Sequence, residues 1–402
     1  MNMQPIEPER RKLCINGVKA ATLALGIGAG RSIRGSEDPE SKPLRLGIIG
    51  LGDRGLVHMM AIKVVRGLDL KAFCDISSTK LNRAKALHWT GKTYNDYRDL
   101  LDDPNIDAVT IATPLKDHFK MAVDALAAGK HVFCEKTMTY SIAEAKDLVS
   151  IVNASDLTFQ TGYQYPYNYI FQKARKLIQD GEIGKITNVS CQWNRNSDWR
   201  KRVGKSESER LIHWRLYREY SKGLMGELGS HHMDYLCSVL GEYPSVAMGM
   251  GGVNYWRDGR ETYDNIMTMF NFKSGIKASF TALTANSYNG FDISFKGDLG
   301  TLTLTNNKAY LSRESGSRMV DAFSGATSTS TTCRGQEIKG KLFAEATVAS
   351  FSEFRDSIRT GAMPIANVKR GADSVVVVNM AVEAMLTGRP QEWQDNYNTE
   401  LL

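Results

Sequence analysis

The sequence predicts an α/β protein: an N-terminal doubly wound parallel sheet, then an α+β domain built on a large, mostly antiparallel sheet. Three observations carry this. A short apolar strand, Leu44 to Ile49, runs into Gly50-x-Gly52-x-x-Gly55 and then a helical stretch. Up to about residue 162, apolar runs alternate with amphipathic stretches, the rhythm of parallel strands joined by helices. Beyond Tyr169, strand-like runs follow one another across tight turns such as Asp258-Gly259 and Lys273-Ser274-Gly275, the rhythm of antiparallel pairing.

Residues 1–34 come first and read as an address. Arg10-Arg11 precede a mildly apolar, Gly-rich run from Ala20 to Gly30, too short to span a membrane stably. Paired arginines before such a run resemble a bacterial twin-arginine export signal, which implies a periplasmic protein that folds and loads its cofactor before crossing. This segment holds six Lys/Arg against two Glu, four of the chain's seven net positive charges. The remainder lacks the basic excess of a nucleic-acid surface. Six widely spaced cysteines without C-x-x-C argue against a disulfide framework or a zinc site. Cys74 and Cys134 read as small core residues.

The first domain is expected over 43–165. Gly50 permits the tight turn, Gly52 lets backbone approach a pyrophosphate, and Gly55 allows close helix–strand packing; Asp53 and Arg54 lie within the same loop. The helix start offers free N–H groups to phosphates. Asp75, at the end of the second apolar run, stands where a carboxylate binds ribose hydroxyls, and it favours NAD because it would repel a 2′-phosphate. Ile106 to Thr113, His131 to Glu135 and Leu157 to Gln160 read as further strands, with helices over His118 to Ala128 and Ala143 to Val152.

The second domain is expected over 166–345. It opens with a helix from Phe171 to Asp180, ended by Gly181. Strand-like runs follow over Ile186–Trp193, Val246–Val253, Asn265–Phe272, Ile276–Ala282, Phe291–Lys296 and Gly300–Thr303. Ser315 to Thr332 reads as a loop. Residues 346–402 are expected to pack back toward the first domain, through helices near Phe343–Arg359 and Val368–Leu386.

Two clusters carry candidate chemistry. Lys136 follows a strand whose carboxyl end faces the ligand crevice, where an ammonium can polarise a hydroxyl or carbonyl. A lysine at a strand end is also commonly just solvated. Glu227 and His231 are four apart, so on a helix they share a face, and a carboxylate beside an imidazole orients it as a base. His232 would point about 100° away from that face and is assigned with Tyr163 to substrate binding; Asp234 is expected to brace His231 or cap backbone. A metal held by Glu227 and the histidines is disfavoured, because adjacent histidines on a helix diverge. Trp214, Arg215 and Tyr217 interleave rings and cation in a way that suits a sugar or a protein interface. Tyr163 and Gln164 end a strand and could cover a nicotinamide.

These motifs together resemble the glucose–fructose oxidoreductase / inositol dehydrogenase / rhizopine catabolism (Gfo/Idh/MocA) family. The likeness rests on Gly50-x-Gly52-x-x-Gly55, Ala112-Thr113-Pro114 with His118, Glu135-Lys136-Thr137, and Gly223…Glu227-x-x-x-His231-x-x-Asp234. It implies an NAD enzyme with Lys136 and His231 in catalytic positions and Thr113, Pro114, His118 and Glu135 lining the cofactor. Two positions depart from the pattern: the family's usual Glu-Lys-Pro is Glu-Lys-Thr, and its frequent Asp four residues before the His is Glu227. The implied activity is oxidation of a sugar or glycoside hydroxyl. Export to a compartment where free NAD is scarce implies a tightly held cofactor, and the broad antiparallel sheet, free to pair across subunits, implies a homodimer or homotetramer. Two alternatives stay open: net glycoside hydrolysis through transient oxidation, and a non-catalytic sugar or NAD sensor.

Overall fold

The computed structural model describes residues 42–87, 90–204, 207–305, 308–314, 335–339 and 344–399. The arginine pair, the apolar run after it and the Ser315–Thr332 stretch lie outside the described residues.

The first half alternates as its pattern dictates: β1 (Leu44–Ile49), α1 (Asp53–Val64), β2 (Leu68–Cys74), α2 (Ser78–Ala86), β3 (Lys92–Tyr94), α3 (Tyr97–Leu101), β4 (Ala108–Ile111), α4 (His118–Ala127), β5 (His131–Cys134), α5 (Ile142–Asn153) and β6 (Phe159–Thr161). The six strands are parallel, in the order β3-β2-β1-β4-β5-β6. Strand order reverses between β1 and β4, and a doubly wound sheet opens its ligand crevice at the carboxyl ends there. All four residues of β4 are buried, as expected for a strand with helices on both faces.

The second half runs α6 (Tyr169–Gln179), β7 (Ile186–Trp193), α7 (Glu209–Ile212), a π-helical turn (Met225–Gly229), α8 (Ser230–Leu240), β8 (Pro244–Gly252), β9 (Asn265–Phe272), β10 (Lys277–Leu283), β11 (Phe291–Gly297), β12 (Gly300–Thr305), β13 (Lys308–Arg313), β14 (Gln336–Lys339), α9 (Ala344–Thr360), α10 (Val368–Thr387) and β15 (Gln391–Glu392). Its nine strands order as β14-β13-β12-β11-β7-β10-β9-β8-β15. β7 and β10 pair in parallel and the other neighbours are antiparallel. One face packs inward: Ile266, Thr268 and Phe270 of β9 are buried while Met267 and Met269 between them are exposed. Short β3, β14 and β15 are additions to the sequence reading; strands of two to four residues leave almost no periodicity to read.

The last two helices join the halves. Phe351 and Phe354 of α9 enter the core of the first sheet with Leu46, Ile48 and Phe133. α10 contributes Val368, Ala372 and Val375 to one core of the first sheet, and Val376 to Val378 to the core under the second. Cys74, Cys134, Cys191 and Cys237 are buried free thiols; burial pushes the Cys74 thiol up to about 12, so it is inert at neutral pH.

Candidate active site

The Gly-rich turn is built for a close approach. Gly50 has φ +95°, and a Cβ there would meet the Ala112 carbonyl oxygen at 2.7 Å. A Cβ at Gly55 would lie 1.9 Å from the Gly50 carbonyl oxygen, so only glycine lets α1 start this near the strand end. A Cβ at Gly52, by contrast, would meet nothing within 4 Å. Gly52 lines a cleft of about 740 Å³, together with Asp75, Thr113 and Pro114 from the first domain and Ile212 and Trp214 from the second. No side chain caps α1, so its first N–H groups and dipole are left for an anion.

Asp75 shapes this cleft. Its Oδ2 accepts from the Leu51 N–H and its Oδ1 from the Ser77 N–H, both at 2.8 Å. Each carboxylate oxygen keeps a further lone pair. The residues therefore fit a dinucleotide: an open glycine under the diphosphate, an uncapped helix, and a buried carboxylate at the second strand's end.

The remaining predicted cofactor residues divide differently. Asp53 is exposed and pairs with Lys201 at 2.5 Å, so it ties the two domains across the cleft. Arg54 points inward: its Nε lies 2.5 Å from Glu135 Oε1, and the Gln164 side-chain oxygen accepts from its Nη groups. Glu135 is buried, and His58 Nε2 sits 2.8 Å from the same oxygen, with Thr110 on the other side of that ring. Burial pushes the Glu135 carboxyl up, but Arg54 and His58 outweigh it and hold the acid below the usual carboxylate range. Glu135, Arg54 and Gln164 thus form an internal brace behind the crevice. His118 is a correction of the same kind. Its buried ring lies between the carbonyls of Thr113 (3.0 Å) and Thr137 (2.9 Å), locking the loops after β4 and β5 together.

Lys136 leaves the end of β5 toward the π-helical turn. Its Nζ donates to the carbonyls of Gly226 (3.2 Å) and Glu227 (3.0 Å). Thr137 Oγ1 and Ser230 Oγ also donate to Gly226. Burial lowers the Lys136 pKa, opposed by Glu227 and Glu135.

His231 follows one turn later, buried among Tyr165 (ring centroids 5.2 Å apart), Tyr163 (6.0 Å) and Trp193 (6.1 Å). Its pKa falls well below 6.5, through burial first and the Lys136 charge second. That second cause brings the two expected catalytic groups into one electrostatic neighbourhood.

Four expectations are corrected here. Glu227 does not orient His231: its carboxylate takes Arg215 Nε at 2.6 Å, and His231 Nδ1 has no hydrogen-bond partner among the described residues. The π turn breaks the i,i+4 register on which that pairing rested. Asp234 does not brace His231 either; it receives both Nε and Nη2 of Arg370, at 2.6 and 2.7 Å. His232 is core, fully buried against Phe280 and Phe291, with its pKa lowered to about 3 by burial. Tyr163 is fully buried too: its hydroxyl bonds Ser374, and its ring supports His231 edge-on.

In the 212–220 segment, Trp214 borders the cleft and Arg215 stacks on it at 4.2 Å. Tyr217 instead gives its hydroxyl to Glu209 and lies under Arg210, an internal tie. Sequence reasoning passed over His58, Trp193 and Arg195. The inward alternation of Val189 and Cys191 on β7 carries on to Trp193, and Arg195 lies just past the strand end. Among the described residues no three His, Cys, Asp or Glu side chains group to hold a metal. No described helix is long and apolar enough to cross a membrane.

Comparison with known proteins matches residues 44–163 to the GFO_IDH_MocA oxidoreductase family, NAD-binding Rossmann fold. Residues 175–392 match the family's C-terminal alpha/beta domain. Myo-inositol 2-dehydrogenase of Thermotoga maritima is 30% identical over 142 residues, 35% of this chain and 42% of that protein. A glycosyl hydrolase family 109 protein of Shewanella baltica is 27% identical over 208 residues, 49% of this chain and 44% of that protein. The chain thus spans less than half the length of these two relatives. A solved levoglucosan dehydrogenase, in complex with NADH and levoglucosan, superposes with a TM-score of 0.72 at 19% identity, covering 87% of this chain and 99% of that one.

Proposed function

The chain belongs to the Gfo/Idh/MocA oxidoreductase family, and from that premise we propose that it is an NAD-dependent oxidoreductase acting on a sugar or glycoside hydroxyl. One observation carries the reading. Lys136, at the carboxyl end of β5, is fixed on the carbonyls of Gly226 and Glu227, one turn before His231. The charge of the first acts on the imidazole of the second. The relatives are in keeping with it, two being named dehydrogenases of a cyclitol and an anhydrosugar.

Bound NAD supplies the hydride acceptor. His231, neutral because its pKa is depressed, takes the hydroxyl proton as the C–H bond breaks. Lys136 stabilises the oxygen as negative charge grows on it. Glu227 sets the position of Arg215 and, through its backbone carbonyl, of Lys136. Tyr165, buried and stacked on Phe171, backs the imidazole, and the partly exposed Trp193 ring beside it is the aromatic surface left for a sugar.

The cofactor is held tightly and recycled in place. The purified chain should keep NAD through dialysis, and mass spectrometry of the denatured protein should find it. A cofactor-free protein that binds NAD only weakly overturns that part of the proposal. The glycoside hydrolase reading is the second one, favoured by the family 109 relative. Release of nitrophenol from nitrophenyl glycosides without net NADH would support it; failure to exchange solvent deuterium into the sugar beside the oxidised carbon would remove it. A sensor without turnover is the third.

Two further parts of the proposal concern the whole protein. The twin-arginine pattern at Arg10-Arg11 directs export to the periplasm. A reporter fused after residue 34 should be exported, and lose export when both arginines become lysine. The chain forms a homodimer or homotetramer, with the open face of the second sheet as the contact.

A further inference from the structure

We propose that the sugar this site receives carries a carboxylate, and that Arg195 binds it. The inference rests on the oxidoreductase reading and narrows its substrate class to sugar acids.

The placement follows from β7. Val189 and Cys191 point into the core beneath the sheet, two-residue alternation puts Trp193, the last residue of β7, on the same face, and Arg195 follows just beyond the strand. That face holds His231: the Trp193 ring lies 6.1 Å from the imidazole, and the Arg195 guanidinium lies over the Trp193 ring at 4.8 Å. The groups that act on Arg195 electrostatically are Arg215, Tyr165 and Glu227, all from the surroundings of His231.

The charges in this pocket do not balance. Lys136, Arg195 and Arg215 all act on Glu227 or feel its charge, and Arg215 Nε already holds that carboxylate at 2.6 Å. Glu135, which also acts on Lys136, is taken by Arg54. Among the described residues the Arg195 guanidinium has no ion pair and no hydrogen bond; it lies over the Trp193 ring. A half-buried guanidinium in that state leaves its five N–H donors to water, and only Glu227, already held by Arg215, answers its charge. Sugar hydroxyls could meet the donors but not the charge. A carboxylate meets both, through the paired N–H···O geometry that guanidinium prefers. A sugar lodged beside the Trp193–Arg195 stack puts a carboxylate within reach of the guanidinium and keeps its ring carbons near His231.

The test uses the full chain with its nucleotide. Methyl uronides of the gluco, galacto and manno series are each compared with the neutral glycoside, which differs only in having CH₂OH for the carboxylate. Binding is read by ligand-observed NMR and turnover by nicotinamide absorbance. At least one uronide should bind ~10-fold or more tighter than its neutral partner. Arg195→Gln should weaken that uronide by about 100-fold and collapse the selectivity, while Arg195→Lys recovers part of it. If no uronide binds better than its partner, or if both substitutions weaken the two members of a pair equally, the inference is overturned. If a uronide binds through Arg195 yet neither it nor any glycoside reduces the nicotinamide, the oxidoreductase reading falls and the inference about the ligand stands.

Discussion

Lys136 and His231 are both screened from water, and burial moves both away from their ordinary protonation behaviour in the direction that weakens the charged form. For His231 this keeps the ring neutral through the neutral range. The acid limb of kcat/KM should therefore fall below pH 6.5, with no loss of rate on passing through 6.5 from above. For Lys136 the cation is lost as pH rises through a value under 10.5, so the alkaline limb should begin below that. A pH–rate profile with any turned-over sugar measures both limbs. Lys136→Met should reduce kcat by ~10³-fold while the nucleotide stays bound, since the residue acts on the developing oxyanion; a sensor would scarcely respond. The Glu135 brace gives a stability prediction. Glu135→Gln strands the inward-pointing Arg54 without its counter-ion, a change that typically costs about 3–5 kcal/mol for buried pairs. Because the Glu135 pKa is held low, its contribution is complete above the ordinary carboxylate range and is lost as pH falls through the lowered value. Urea unfolding at several pH values reads this directly.

At the scale of elements, the two glycines of the first turn separate folding from binding. Gly55→Ala places a Cβ 1.9 Å from the Gly50 carbonyl, so α1 must move off β1; a loss of about 1–3 kcal/mol in stability is expected. Gly52→Val meets no protein atom with its Cβ and should fold normally, yet it projects a side chain into the cleft and should abolish nucleotide retention. A thermal melt and a bound-NAD assay on the two variants should give opposite patterns. The same turn shows what the sequence could convey. Strand, glycines, helix and Asp75 are fixed by local chemistry, so they were legible, and β7 and β9 begin and end where their alternation says. The His231 surroundings were legible in membership but not in wiring. Glu227-x-x-x-His231 reads as one helical face only if the helix is α, and the turn at Met225–Gly229 is π. Asp234 finds Arg370 across 136 residues, a partner no local pattern announces. His58 and Arg195 looked like ordinary helix and strand-end residues until the sheets placed them beside Glu135 and Trp193.

The largest open question of the whole molecule concerns the outer face of the second sheet. Met248 and Met269 oppose each other across β8 and β9, as do Met250 and Met267. Their exposures are 44%, 56%, 69% and 57%, so among the described residues four thioether side chains form one exposed apolar cluster on this face. The neighbouring positions of the same strands point into a packed core, so alternation forces these side chains outward and no local rearrangement can bury them. Contiguous apolar surface of this kind is usually covered by another chain, and methionine adapts well to a facing copy of itself. Light scattering on the full chain should find a dimer or tetramer. Met250→Glu with Met267→Glu puts like charges directly opposite each other on that face and should yield monomers whose thermal transition becomes independent of concentration. A chain that is already monomeric at micromolar concentration, or a double variant with unchanged mass, removes this face as the contact. Because the cluster lies on the side of the sheet opposite the core beneath His231, separation of subunits should leave NAD retention intact, and retention in the monomeric variant would show that each chain holds its cofactor alone.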